Sequence, residues 1–138
     1  MRSDYVEAVL AVVDMVPAGS AVSYGDVAEL LGAGGPRQVG AVMSHHGSTV
    51  PWWRVLRADG RAPAGHEAGA LRHYLEEETA LRGDIVGYLR TGEGSWRVDL
   101  AAARWAPTEE NFARIDALAC GLAAPLPELS LADDGMSG

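Results

Sequence analysis

The sequence predicts a mainly α domain with small β elements, of the winged helix-turn-helix kind. Three observations carry that expectation. Two short stretches of helical apolar spacing are joined by a glycine-rich turn at residues 32–35. A weakly alternating segment, residues 53–57, runs into the hairpin signal Asp59-Gly60, which suggests a wing. The length of 138 residues suits one hydrophobic core and is too short for a two-domain enzyme.

Taken in order, Val6, Val9, Leu10, Val13 and Val16 repeat at helical spacing, with Asp4 and Glu7 placed as in a capping box, and Pro17-Ala18-Gly19 ends this first helix. Ser23 and Asp26 open a second helix, which turns Val27, Leu30 and Leu31 to the core and stops at Gly32. Pro36 suits the first position of a third helix, with Val39, Val42, Met43 and His46 on one side and Arg37, Gly40, Ala41 and Ser44 on the other. A loop at residues 45–48 precedes the alternating segment. Leu71, Tyr74 and Leu75 predict a helix running to about residue 82, with Gly83 as its stop. Residues 85–89 and Trp96, Val98 and Leu100 read as a hairpin around Thr91-Gly92-Glu93-Gly94. Beyond Pro107, Phe112, Ile115, Leu118 and Leu122 mark one amphipathic helix, followed by a tail with the composition of a disordered segment.

Eleven basic residues against 19 acidic ones give a net charge of −8, so the field of the whole molecule repels polyanions and membranes alike. Nucleic-acid binding would need a local patch, and residues 37–57 supply one, with Arg37, Arg54 and Arg57 and no acidic residue. Every basic residue is arginine, which favours planar bidentate contacts and is equally a product of GC-rich coding. The single cysteine, Cys120, forbids an intramolecular disulfide, and the absence of paired cysteines removes the usual zinc sites. No cofactor or metal is expected. No apolar run approaches the roughly 20 residues that span a bilayer, and the opening residues lack a signal-peptide core, so a cytoplasmic protein without a membrane partner is expected.

The face made by Arg37, Gly40, Ala41 and Ser44 is small and nearly uncharged. A major-groove reader carries Gln, Asn or Arg along such a face to meet base edges. Small side chains instead allow the helix backbone to press against DNA, with Arg37 as the one long probe. Spacing alone leaves open that Gly40 and Ala41 pack against another helix and that Arg37 is a surface charge. In Pro51-Trp52-Trp53-Arg54-Val55 the tryptophans, if extended, point to opposite sides, one to the core and one to a pocket or solvent. Both as packing residues is the alternative. His45, His46, His66 and His73 stand in no nucleophile motif and read as structural or surface residues.

Val16-Pro17-Ala18-Gly19, Val22-Ser23-Tyr24-Gly25-Asp26-Val27-Ala28, Pro36-Arg37-Gln38-Val39-Gly40, Val50-Pro51-Trp52-Trp53-Arg54-Val55 and Asp59-Gly60 resemble, in order, the DNA-binding C-terminal domain of the O6-alkylguanine-DNA alkyltransferases. The match spans about residues 5–82. That family carries Pro-Cys-His-Arg-Val, in which the cysteine accepts the alkyl group and the histidine helps to activate it. Here Trp52 and Trp53 take those two positions, and tryptophan at the first is the mark of the alkyltransferase-like proteins, which the chain resembles more closely, including Arg97-Val98-Asp99-Leu100 and Arg104-Trp105. Many of those proteins keep histidine where Trp53 stands.

The resemblance implies a DNA-binding domain at residues 1–106, with residues 107–138 as a C-terminal extension. It implies recognition of O6-alkylguanine in double-stranded DNA without repair, since indole is a poor nucleophile with no S–H to lose, so no catalytic residue is expected. Arg37 would match the finger that fills the base stack, and Tyr24 the tyrosine that crowds the 3′ phosphate as the nucleotide turns out. Gly40, Ala41 and Ser44 would follow the minor groove. Pro51, Trp52, Trp53 and Val55 would line the lesion pocket, with the loop at residues 61–66 closing it. Glu78 would match the family's third catalytic group, with a structural role here. The resemblance further implies a monomer that hands the lesion to nucleotide excision repair proteins. A winged-helix transcription regulator without lesion specificity is the alternative, and the small recognition face argues against it.

Overall fold

The computed structural model describes residues 3–123, and the expectation of a disordered tail falls on residues outside that range. Helix α1 (Ser3–Met15) buries Tyr5, Ala8, Val9, Val12 and Val13. Because it already begins at Ser3, Asp4 lies within its first turn and is not its cap. Strand β1 (Val22–Ser23) leads into α2 (Tyr24–Leu31) through the expected capping box. The Asp26 N–H donates to Ser23 Oγ at 3.0 Å, and Asp26 Oδ2 accepts the Ser23 N–H at 2.9 Å. Gly32 closes α2 in the left-handed conformation.

The turn into α3 (Pro36–His46) is pinned to α1 by the Tyr5 hydroxyl, which donates to the Ala33 carbonyl at 3.1 Å. Gly34, at φ +72°, leaves room for that phenol, since a side chain there would collide with it. Val39 and Val42 of α3 join the valines of α1 and α2 in one core. The histidines expected in a loop instead form the last turn of α3, where His45 and His46 are exposed.

Two short 3-10 turns, Gly47–Thr49 and Trp52–Arg54, precede β2 (Val55–Leu56). The adjacent tryptophans therefore do not splay across a strand. β2 pairs in parallel with β1, Val22 opposite Val55 and Ser23 opposite Leu56. Neighbouring strand residues face opposite ways, so Val55 enters the core of α1–α3 while Leu56 enters a second core with Ala21, Ala70, Tyr74 and Val98. On the other edge of this ribbon, Ala21 exchanges backbone hydrogen bonds with Ala103 and Trp105, both at 2.9 Å.

The second half departs more from expectation. Helix α4 (Glu67–Glu77) starts earlier and stops earlier than its apolar spacing suggests, and Glu78 closes it with φ +59°. Leu81–Gly83, expected as its last turn, is strand β3, antiparallel to β4 (Trp96–Val98). Residues 85–89, expected as a strand, lie in helix α5 (Ile85–Thr91), because the Asp84 carboxylate caps the Gly87 N–H at 2.9 Å and its carbonyl accepts from Tyr88. The hairpin is thus β3–β4 with a helix between its strands. A short helix α6 (Leu100–Ala103) follows, and α7 (Glu109–Ala123) returns to pack on α1 and α2, with Ile115 buried and Leu118 and Leu122 against the same core. Among the described residues no helix is long and apolar enough to cross a membrane.

Candidate nucleic-acid interface

Helix α3 presents Arg37 and Ser44 exposed and Gly40 and Ala41 half-buried. Pro36 occupies its first turn, and the Gln38 side chain accepts the Gly35 N–H at 2.9 Å, so the start of the helix is fixed just where Arg37 projects. Gly40 decides between the two readings of this face. A β-carbon placed on it would meet no atom within 4 Å, so no neighbouring helix requires a glycine there. Glycine inside a helix costs about 0.5–1 kcal/mol relative to alanine. Its use at a position with open space suits close approach by something outside the chain.

Gly40 and Ser44 form one wall of a cavity of about 430 Å³, within the range of about 300–1,000 Å³ for small-molecule pockets. Tyr24, the first residue of α2, Met43, and Gly47 and Ser48 of the first 3-10 turn extend that wall. Trp52 supplies an aromatic face, and Pro63, Ala64 and His66 of the following loop close the far side. Of the residues expected to line the pocket, Trp52 alone does so. Pro51 stands outside the lining, and Val55 is fully buried in the core because its strand position faces α1–α3.

Trp53 lies behind Trp52 as its support. The two indoles meet edge to face with centroids 5.6 Å apart, and His73 stacks on Trp53 at 3.6 Å with ring planes 6° apart. His66 and His73 also contact Trp52, at 5.6 and 5.9 Å; His66 belongs to the cavity wall, while His73 packs on the two indoles without lining the cavity. The backbone carbonyl of Trp53 accepts from the Tyr74 hydroxyl at 2.6 Å. Burial above all raises the Tyr74 pKa, so its proton stays in place.

Glu77 is the residue that sequence reasoning missed, having singled out its exposed neighbour Glu78. Its carboxylate accepts from Trp53 Nε1 at 3.0 Å, from Arg54 Nε at 3.1 Å and Nη2 at 2.5 Å, and from the Gly19 N–H at 3.1 Å. Arg54 spends a further donor on the Val16 carbonyl at 2.8 Å and lies 5.3 Å from the Trp53 ring. Burial pushes the Glu77 pKa up, but the hydrogen bonds from Arg54, Gly19 and Trp53 and the charge of Arg54 outweigh it, holding the carboxyl below its ordinary range. No adjacent sequence motif announces this network; its partners are 23, 24 and 58 residues away.

These contacts revise the local charge. Arg54 is neutralised by Glu77, and Arg57 lies 3.6 Å from Glu67 while donating to the Ala62 carbonyl. Of the patch of three arginines expected over residues 37–57, Arg37 is left with no ion pair or side-chain hydrogen bond among the described residues. Tyr24 keeps its proton, because burial raises its pKa more than nearby Arg57 lowers it, and so offers the cavity mouth a neutral hydroxyl. Cys120 is exposed on α7 and does not line the cavity. Among the described residues, no cluster of three or more His, Cys, Asp or Glu could hold a metal ion.

Residues 4–80 match the family model of the 6-O-methylguanine DNA methyltransferase DNA-binding domain. The chain is 34% identical over 110 residues to the DNA base-flipping protein of Escherichia coli K12, and likewise to that of Shigella flexneri. Each alignment covers 75% of this chain and 76% of the relative. Among solved structures it is similar to S. pombe Atl1 in complex with damaged DNA containing O6-carboxymethylguanine, with a TM-score of 0.63, 24% identity, and coverage of 78% of this chain and 99% of that one. It is similar also to S. pombe ATL in complex with DNA, at a TM-score of 0.59 and 27% identity, over 78% of this chain and 100% of that one.

Proposed function

Because the chain belongs to the alkyltransferase-like proteins, built on the DNA-binding domain of 6-O-methylguanine DNA methyltransferase, we propose that it recognises O6-alkylguanine in double-stranded DNA without removing the alkyl group. One observation carries this reading above the others. Gly40 and Ser44 of the small α3 face and Trp52 line the same cavity, so a helix suited to close DNA contact adjoins a chamber suited to a base.

In this mechanism α3 lies along the minor groove, and the exposed Arg37 enters the base stack as the target nucleotide leaves it. Tyr24 meets the 3′ phosphate as a neutral hydroxyl donor, free of the repulsion a phenolate would impose. The extruded base enters the cavity against Trp52, and the loop holding Pro63, Ala64 and His66 closes over it. Extrusion costs a few kcal/mol and least for a weakened pair, so selectivity arises from both flipping and fit. Residues 1–106 perform this role, with residues 107–138 as an extension whose helix caps the core.

Transfer chemistry lacks its nucleophile. Trp52 and Trp53 occupy the positions of the acceptor cysteine and its histidine, and the indole N–H of Trp53 is committed to Glu77. The protein therefore acts as a monomeric marker that hands the lesion to nucleotide excision repair. Fluorescence-anisotropy titration of one duplex with and without a single O6-methylguanine, at fixed salt, tests the reading when followed by assay of the recovered DNA. Tighter binding with the methyl group retained is expected. Equal affinity for the two duplexes, or loss of the methyl group, overturns it.

A further inference from the structure

A second cleft, of about 290 Å³, opens between the loop at residues 57–66 and the β3–β4 hairpin, and the side chains of Arg61, Arg82 and Arg97 line it with Ser95 and Trp96. Arg82 and Arg97 stand directly opposite each other across the antiparallel pair. Like charges in that register destabilise a hairpin, so strand pairing gives no reason to set the two arginines opposite each other. Asp59 takes Arg61 at 2.7 Å and Asp99 takes Arg82 at 3.2 Å, which leaves Arg97 without an ion pair among the described residues. Three guanidiniums against two carboxylates leave an excess positive charge in a chain of net charge −8.

The cleft is held open by a lock between its two walls. The Val98 N–H donates to the Gly60 carbonyl at 2.9 Å, and Gly60, buried with φ +91°, leaves no room for a β-carbon against the Val98 carbonyl. The backbone of Arg61 is thereby held at the cleft that Arg97 also lines. The same loop carries Pro63, Ala64 and His66 into the first cavity.

We propose that this cleft binds a phosphodiester group of the DNA backbone and forms a second anchor for the duplex whose nucleotide enters the first cavity. The inference rests on the DNA-binding reading above. Planar guanidiniums fit phosphate bidentately. The arginine side chains are largely exposed, Arg61 at 58% and Arg82 at 62%, as suits contact with an extended polyanion and not enclosure of a small ion.

The test titrates Arg97→Ala and the Arg82→Ala/Arg97→Ala pair with unmodified and O6-methylguanine duplexes across a salt series. The expected result is a salt slope shallower by about one per arginine removed. Affinity should fall by the same factor on both duplexes, leaving their ratio unchanged, and Arg97→Ala should be as stable in urea as the wild type or more so, because a like-charge pair is gone. Arg97→Lys should restore most of the slope. Wild-type slope and affinity in the double variant overturn the proposal, even if inorganic phosphate shifts the arginine Nε resonances of the wild type, for the cleft is then a small-anion site. Equal wild-type affinity for the two duplexes, with the slope still flattened in the variants, defeats the lesion reading and leaves this one standing.

Discussion

Gly40→Ala separates what the fold needs from what its ligand needs. The added β-carbon meets nothing within 4 Å, so the substitution carries no steric penalty in the free protein. It removes the backbone-entropy cost of glycine at the fifth position of an eleven-residue helix, and urea unfolding should show stabilisation by about 0.5–1 kcal/mol. On the proposed DNA complex the same methyl group would stand between the α3 backbone and the groove. Overpacking of a close contact costs about 1–3 kcal/mol, so affinity for a lesion duplex should fall by roughly 5- to 150-fold. Paired measurements of urea midpoint and anisotropy read the two effects on one sample. A destabilised variant would show that Gly40 is a packing residue after all. A stabilised variant with undiminished DNA affinity would show that this face does not approach the duplex.

The other predictions concern the proposed arginine finger, the cavity face and the half-buried Arg54–Glu77 ion pair. Arg37→Ala should cost about 1–3 kcal/mol of lesion-duplex affinity in the same titration, with the urea midpoint unmoved because the exposed side chain has no ion pair or hydrogen bond among the described residues. Trp52→Ala should erode the ratio of lesion to normal affinity more than total binding; equal loss on both duplexes would count against the cavity as a base site. Glu77→Ala should destabilise by about 3 kcal/mol in urea, since it strands Arg54, whose side chain is 16% exposed, with one carbonyl partner. Because the folded-state pKa of Glu77 is lowered, its contribution is present above the unfolded value of about 4.3 and lost as pH falls through the folded value. Glu77→Gln should accordingly flatten the acid limb of stability below about pH 4.5, and an unchanged limb would remove Glu77 from the acid response.

The helix-turn-helix was legible because its signals are local. The Ser23–Asp26 capping box, Gly32 in the left-handed conformation and Pro36 at the first turn each act within four residues. The β3–β4 hairpin was not legible. Leu81–Gly83 continues an apolar helical pattern, and only pairing with Trp96–Val98, fifteen residues downstream, makes it a strand. Ile85 and Val86 favour a strand by type, yet the cap from Asp84 sets a helix that leaves Val86 64% exposed. Counting arginines over residues 37–57 overstated the local charge because Glu67 and Glu77, which neutralise two of them, follow in sequence and return in space. Trp52 was legible as a cavity residue through the family motif. Trp53 and Val55 belong to the same motif but serve the support and the core, a division that depends on the 3-10 turn at Trp52–Arg54.

The lone thiol, out on α7, bears on how the protein is used up. A protein that carries off alkyl groups on its own sulfur is spent once per lesion, so its capacity is capped by the number of copies made. On the function proposed above, with indole where the sulfur would be, occupancy is set by on- and off-rates and by whatever displaces the complex, and one molecule can serve many lesions in succession. An electrophile that reacts with Cys120 would mark the surface of α7, outside the cavity lining, so on that reading the supply of protein is governed by exchange and not by consumption.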